Sequence, residues 1–201
     1  MSRRRILLAG GTLLCAAGLV LFGHAGFIHA KALLAQYLLE RSWAQRLDGA
    51  APAVAKPWPW ADTVPVARLQ VARLDIDRIV LSGASGRTLA FGPAHLAGTA
   101  EPGATGHGVV AGHRDTHFAF LRELVVGDEI RLQSSDGAWH RYRVTGHTVV
   151  DARVARIDRT PDRRVLTLVT CYPFDALVPG GSLRYAVFGE AIETAAARAE
   201  R

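Results

Sequence analysis

The stretch "LTLVTCYPF", residues 166–174, joins an apolar, threonine-rich run to a cysteine that is followed two residues later by proline. Such a run reads as a buried strand, and Pro173 helps to end it, because proline has no N–H to give to a ladder. Alternation along the strand puts Val165, Thr167, Val169 and Cys171 on one face. The thiol is therefore expected at a strand's rim, where a substrate can reach it.

The surrounding sequence has the same character. From Val66 onward, short β-type runs alternate with glycine and aspartate turns: "VARLQVARLDI", "RIVLSG", "HGVVAGH", "GDEIRLQS", "WHRYRVTGHTVV", "RVLTLVTCY" and "SLRYAVFGEAI". Most lie within about 8–15 residues of a neighbour, a spacing that fits a sandwich or barrel. "SSDGAW", residues 134–139, is a hairpin signal, since Asp-Gly tolerates the positive φ of a tight turn. "THFAFLREL" is a short helix, with Phe118, Leu121 and Leu124 on one face. The expected fold is mainly all-β: a mostly antiparallel closed or half-closed barrel with one or two short helices, over residues 66–195, with a tail at 196–201.

Ahead of this domain, Arg3, Arg4 and Arg5 precede an apolar stretch from Ile6 to Ile28. At about 1.5 Å per residue it is long enough to cross a hydrocarbon core of roughly 30 Å. Residues 1–30 thus read as a basic cytoplasmic tail and a transmembrane helix, and the positive-inside rule sends the rest of the chain across the membrane. A cleaved signal peptide is the rival reading, since Ala30-Lys31-Ala32 resembles a small-x-small site; the apolar run outlasts the usual signal core. Residues 31–65 form a juxtamembrane linker, helical up to a stop at Gly49 and then proline-rich, with four prolines between residues 50 and 65. Trp58 and Trp60 are expected to pack onto the domain.

The chain has 24 Lys+Arg against 18 Asp+Glu. Its arginines are scattered instead of gathered with aromatics, which argues against a nucleic-acid partner. Of the two cysteines, Cys15 lies in the apolar segment, so Cys171 stands in the exported part without a disulfide partner. A leftover thiol there is either buried and inert or reactive.

Cysteine catalysis requires a thiolate, a group that manages protons, and a cation or donor for the developing oxyanion. His113, in "VVAGHRDTHF", follows a strand and a glycine that leaves its imidazole uncrowded; Arg184, in "GGSLRYAVFGE", shares a strand face with Ala186 and Phe188. Singly, each has an ordinary explanation as a core, turn or surface residue, and the combination is what points to chemistry. His113 and His117 stand four apart, as metal ligands on a helix do, but lack a third ligand at a suitable spacing. Neither a metal nor another cofactor is expected.

At these residues the sequence resembles the sortase family. Thr167, Leu168, Thr170 and Cys171 match the Thr-Leu-x-Thr-Cys strand end of that family. "VVAGHRDTHFAFLRELVVGDEI" is similar to its histidine segment, and "LRYAVFGE" to its arginine strand, in the order His, Cys, Arg. The anchor, "YLLERSWAQ" and "TCYPF" look most like the Gram-negative, proteobacterial type, and "KPWPWADT" lacks the Asp-Pro-aromatic plug of the lidded pilin-polymerising type.

The resemblance implies a sortase-like barrel and a cysteine transpeptidase. Cys171 would attack the Thr–Gly carbonyl of an LPXTG-like sorting signal in a protein substrate, giving a thioacyl enzyme that an amine acceptor resolves. His113 would move protons, Arg184 would hold substrate and the developing oxyanion, and Thr170 would position substrate or help form the oxyanion site. The location implied is the inner membrane, with the catalytic domain on the periplasmic side. Two other readings stay open: an endopeptidase whose thioester is hydrolysed, and a non-catalytic exported β-domain that binds envelope or protein.

Overall fold

A computed structural model describes residues 3–49, 56–157, 162–178 and 180–192. The chain divides into two compact units, residues 1–38 and 39–201. Helix α1 runs from Arg3 to Leu47. Its Gly10–Leu47 stretch is long and apolar enough to cross a membrane, and Leu13 and Phe22 on it are 74% and 84% exposed. The helix ends two residues before Gly49, whose φ of 65° reverses the chain.

In the second unit, the last turns of α1 pack by their apolar side. Leu39 and Trp43, one turn apart, are fully buried in a cluster with Ile79, Leu81 and Ala94. Trp58 packs against the same cluster, edge-on to Phe91 at 5.0 Å. Trp60 departs from expectation: it is 82% exposed.

Eight strands close into a barrel: β1 (Pro65–Val71), β2 (Ile76–Ser82), β3 (Ala94–His95), β4 (Gly106–Ala111), β5 (Glu129–Ser134), β6 (Trp139–Asp151), β7 (Arg164–Cys171) and β8 (Leu183–Ala191). Their order around the ring is β1-β2-β3-β4-β7-β8-β6-β5. Closure leaves no free sheet edge. Six of the pairings are antiparallel, and two, β2–β3 and β4–β7, are parallel.

The pleat sorts the side chains. In β1, Ala67, Leu69 and Val71 point inward and are wholly buried; in β7, Leu166, Leu168 and Thr170 do so, leaving Thr167, Val169 and Cys171 on the outer face. The expected run "VARLQVARLDI" is broken by a 3-10 turn at Ala72–Leu74, after which Asp75 takes a left-handed conformation and leads into β2. The expected helix in "THFAFLREL" is a 3-10 helix over Ala119–Glu123, yet Phe118, Leu121 and Leu124 are buried together as its spacing predicts. The β5–β6 hairpin turns at Gly137, φ 85°, with its N–H donated to the Ser134 carbonyl at 2.9 Å.

The Gly-Asp-Glu turn before β5 is fixed by charge. Arg73 grips Asp128 through Nε and Nη2, both at 2.6 Å, and Asp128 also accepts the Val125 N–H. Arg141 and then Arg131 hydrogen-bond Glu129 and hold its carboxyl at about 2, below its ordinary 4.5. A depressed carboxylate stabilises the fold fully above its unfolded pKa and loses that contribution as pH falls through the folded value. We therefore expect the thermal midpoint to fall between pH 5 and pH 2, and Glu129→Gln to shrink that fall. Calorimetry across this range checks both; an unchanged pH dependence in the variant would exclude Glu129 as a source.

Candidate active site

Strand pairing brings the three expected residues to one end of the β4-β7-β8 surface. Cys171 closes β7 directly across from Arg184 of β8. Strand β4 runs parallel to β7 with Ala111 opposite Val169, so continuing both strands by two residues sets His113 alongside Cys171. All three line one cleft of about 510 Å³ on the barrel's outer face, with Val169, Ala186 and Ile157 among its apolar walls. Cys171 and Arg184 are half-buried and His113 is exposed.

The histidine segment is stitched to β7 by backbone groups. The Gly112 N–H is donated to the Val169 carbonyl at 3.1 Å, and the Gly112 carbonyl accepts the Thr170 hydroxyl at 2.7 Å. The His113 carbonyl then accepts the Phe118 N–H at 2.9 Å. Thr170 itself is 2% exposed, so its hydroxyl is committed to the backbone that carries His113. The side chain next to the thiol fixes the loop beside it.

Arg184 donates from Nη1 to the carbonyls of Gly181 and Leu183, at 2.7 and 2.8 Å. A guanidinium has five N–H donors in a rigid fork, so these two bonds orient the group without exhausting it. At the far end of the cleft, His107 and Thr167 form a hydrogen-bonded pair at 2.7 Å between Nε2 and Oγ1. Burial pushes His117 below the ordinary histidine range, against the opposing effect of the Ala90 carbonyl. Among the described residues, no three His, Cys, Asp or Glu side chains cluster as metal ligands.

Sequence reasoning passed over Arg114 and His107. Arg114 is one of 24 Lys+Arg and carried no signal beyond adjacency to His113. His107 had none until β4 and β7 paired in parallel.

A family model described as "Sortase domain" matches residues 69–192. The chain belongs to the sortase family. Sortase D of Bacillus subtilis (strain 168) is 29% identical over 189 residues, spanning 88% of this chain and 94% of that protein. Among solved structures, a Clostridium perfringens sortase D5 transpeptidase superposes with a TM-score of 0.64 at 20% identity, covering 80% of this chain and 99% of the other. A Clostridium perfringens sortase C, determined with the C-terminal cell wall sorting motif, gives 0.59 at 20% identity, covering 82% and 91%. At these identities the superpositions speak for the fold, and the family match makes this sortase a cysteine transpeptidase.

Proposed function

We propose that this sortase is a membrane-anchored transpeptidase that cuts an LPXTG-like sorting signal and passes the protein upstream of the cut to an amine. The observation that carries the reading is the pairing of Cys171 with Arg184 across two strand ends, with His113 in the same cleft. Further support comes from the dimensions of the floor. An extended peptide advances about 3.3 Å per residue, so the face from Cys171 back through Val169 to Thr167 runs about 13 Å, room for the four residues ahead of a scissile bond.

In this reading the Cys171 Sγ adds to the Thr–Gly carbonyl carbon, and the oxyanion takes charge-assisted hydrogen bonds from Arg184. The C–N bond breaks as His113 gives its proton to the departing glycine amine, leaving a thioester. The acceptor amine then attacks the same carbon, His113 takes the proton it loses, and the C–S bond breaks to restore the thiolate. Thr170 contributes by holding the Gly112 carbonyl. Arg3, Arg4 and Arg5 keep the N-terminus cytoplasmic and put the barrel on the extracytoplasmic, periplasmic face.

The test is incubation of the full chain with a sorting peptide, with and without an amine, followed by mass spectrometry. An amide joining the upstream peptide to the amine supports transpeptidation. Hydrolysis alone in the presence of millimolar amine would replace it with an endopeptidase, and an intact peptide in both arms would leave only a binding domain.

A further inference from the structure

Arg114 differs from the molecule's surface arginines. It is 9% exposed, and its guanidinium makes four hydrogen bonds. Nε and Nη2 fork onto Asp115 at 2.7 and 3.1 Å, while Nη1 reaches the Pro173 carbonyl at 2.6 Å and Nη2 the Ala176 carbonyl at 2.9 Å. Those two carbonyls lie two and five residues beyond Cys171, in the β7–β8 loop. The residue bonded to His113 thus grips the loop that leaves the nucleophile.

Other contacts hold the same half of the loop. Phe174 packs edge-on to Tyr185 at 5.2 Å and to Tyr172 at 6.3 Å, with the Arg122 guanidinium 5.4 Å above its ring. Beyond Ala176 the loop turns outward, Leu177 being 98% exposed and Val178 79%. Two devices, a polar clamp and an aromatic cluster, therefore fix residues 172–176.

The clamp is costly to replace. A neutral side chain at position 114 removes the guanidinium from both carbonyls, leaving that of Pro173 only the Ala176 N–H at 3.4 Å, and lysine offers a point charge instead of a fork that meets both. The hydrogen bonds Arg114 donates to Asp115, opposed by burial, and then the charges of Asp115, Cys171 and Asp175 raise the Arg114 pKa.

Resting on Cys171 as that nucleophile, we propose that Arg114 is a positioning residue of this sortase. By tying the His113 segment to the Pro173 and Ala176 carbonyls, it sets the alignment of imidazole and thiol at which acyl transfer runs. Substrate affinity is set elsewhere, along the cleft floor from Val169 to Thr167.

The proposal separates kcat from KM. Arg114→Met is expected to lower kcat about 100-fold, the cost of a misplacement near 1 Å, with the sorting-peptide KM within about threefold of the parent. The kcat is expressed per active site, titrated with a thiol-reactive sorting-peptide analogue, so that a smaller folded fraction does not count as a slower enzyme. Arg114→Lys, which keeps the charge and reaches a single carbonyl, should fold and lose about tenfold in kcat. Asp115→Asn, which leaves both carbonyl bonds in place, should stay within about threefold. Per-site kcat values within twofold of the parent in both Arg114 variants would overturn the proposal. So would a loss accounted for wholly by fewer titratable sites. Cys171→Ala is assayed in parallel: if it turns over, the nucleophile reading falls and takes this one with it, whereas an inert Cys171→Ala beside fully active Arg114 variants defeats this inference alone.

Discussion

Cys171→Ala is expected to fold as the parent does and to lose at least about 10⁴-fold in transpeptidation, the scale seen when an enzyme's nucleophile is removed. The thiol is half-buried at a strand end, so deleting one sulfur leaves no enclosed cavity in the core. No neighbour replaces it. The Thr170 hydroxyl is bonded to the Gly112 carbonyl on the inner face, and the Thr167 hydroxyl is paired with His107. The assay is amide formation from sorting peptide and amine by mass spectrometry, with a thermal melt to verify the fold. Residual activity within tenfold of the parent would remove Cys171 from the reaction.

Gly112→Ala is the second large effect, and it acts through the core. A Cβ at this position would stand 2.6–2.9 Å from three carbons of the Phe118 ring. That ring is fully buried and packs edge-on to Phe120, centroids 5.6 Å apart, so it has nowhere to swing. The backbone must shift instead, straining the bonds of Gly112 to Val169 and Thr170 and displacing His113. Overpacking of this kind costs about 1–3 kcal/mol, and a 1 Å displacement of the imidazole adds about 100-fold in kcat. Trimming the ring should relieve the clash: in Gly112→Ala/Phe118→Leu, urea unfolding and kcat are expected to give less than the sum of the single losses. Unchanged stability and kcat in Gly112→Ala would show that the segment tolerates the methyl group.

The barrel's parts were legible from short apolar runs between turn residues, with clean alternation in β1 and β5. Ala67, Leu69 and Val71, or Leu166 and Leu168, announce an inner face by period alone. Two features escaped. Strand β3 is two residues long, too short to carry a period, and the parallel pairing of β4 with β7 joins segments 58 residues apart at Ala111 and Val169. Local sequence holds no record of such a contact. The same limit governs the site. His113, Cys171 and Arg184 each sit in a marked context, after a glycine, before a proline, on an apolar face. Arg114 acts through carbonyls, which every residue possesses, so its partners Pro173 and Ala176 left no trace in residue type.

The last strand of the ring has a consequence in time. β8 lies between β6 and β7 and is the last of the eight barrel strands in chain order. A nascent chain that has emerged through Cys171 but not through Leu183 has two open strand edges and a thiol with no arginine opposite. One segment therefore both seals the barrel and completes the proposed centre, so that on this reading the chemistry waits for the architecture that contains it.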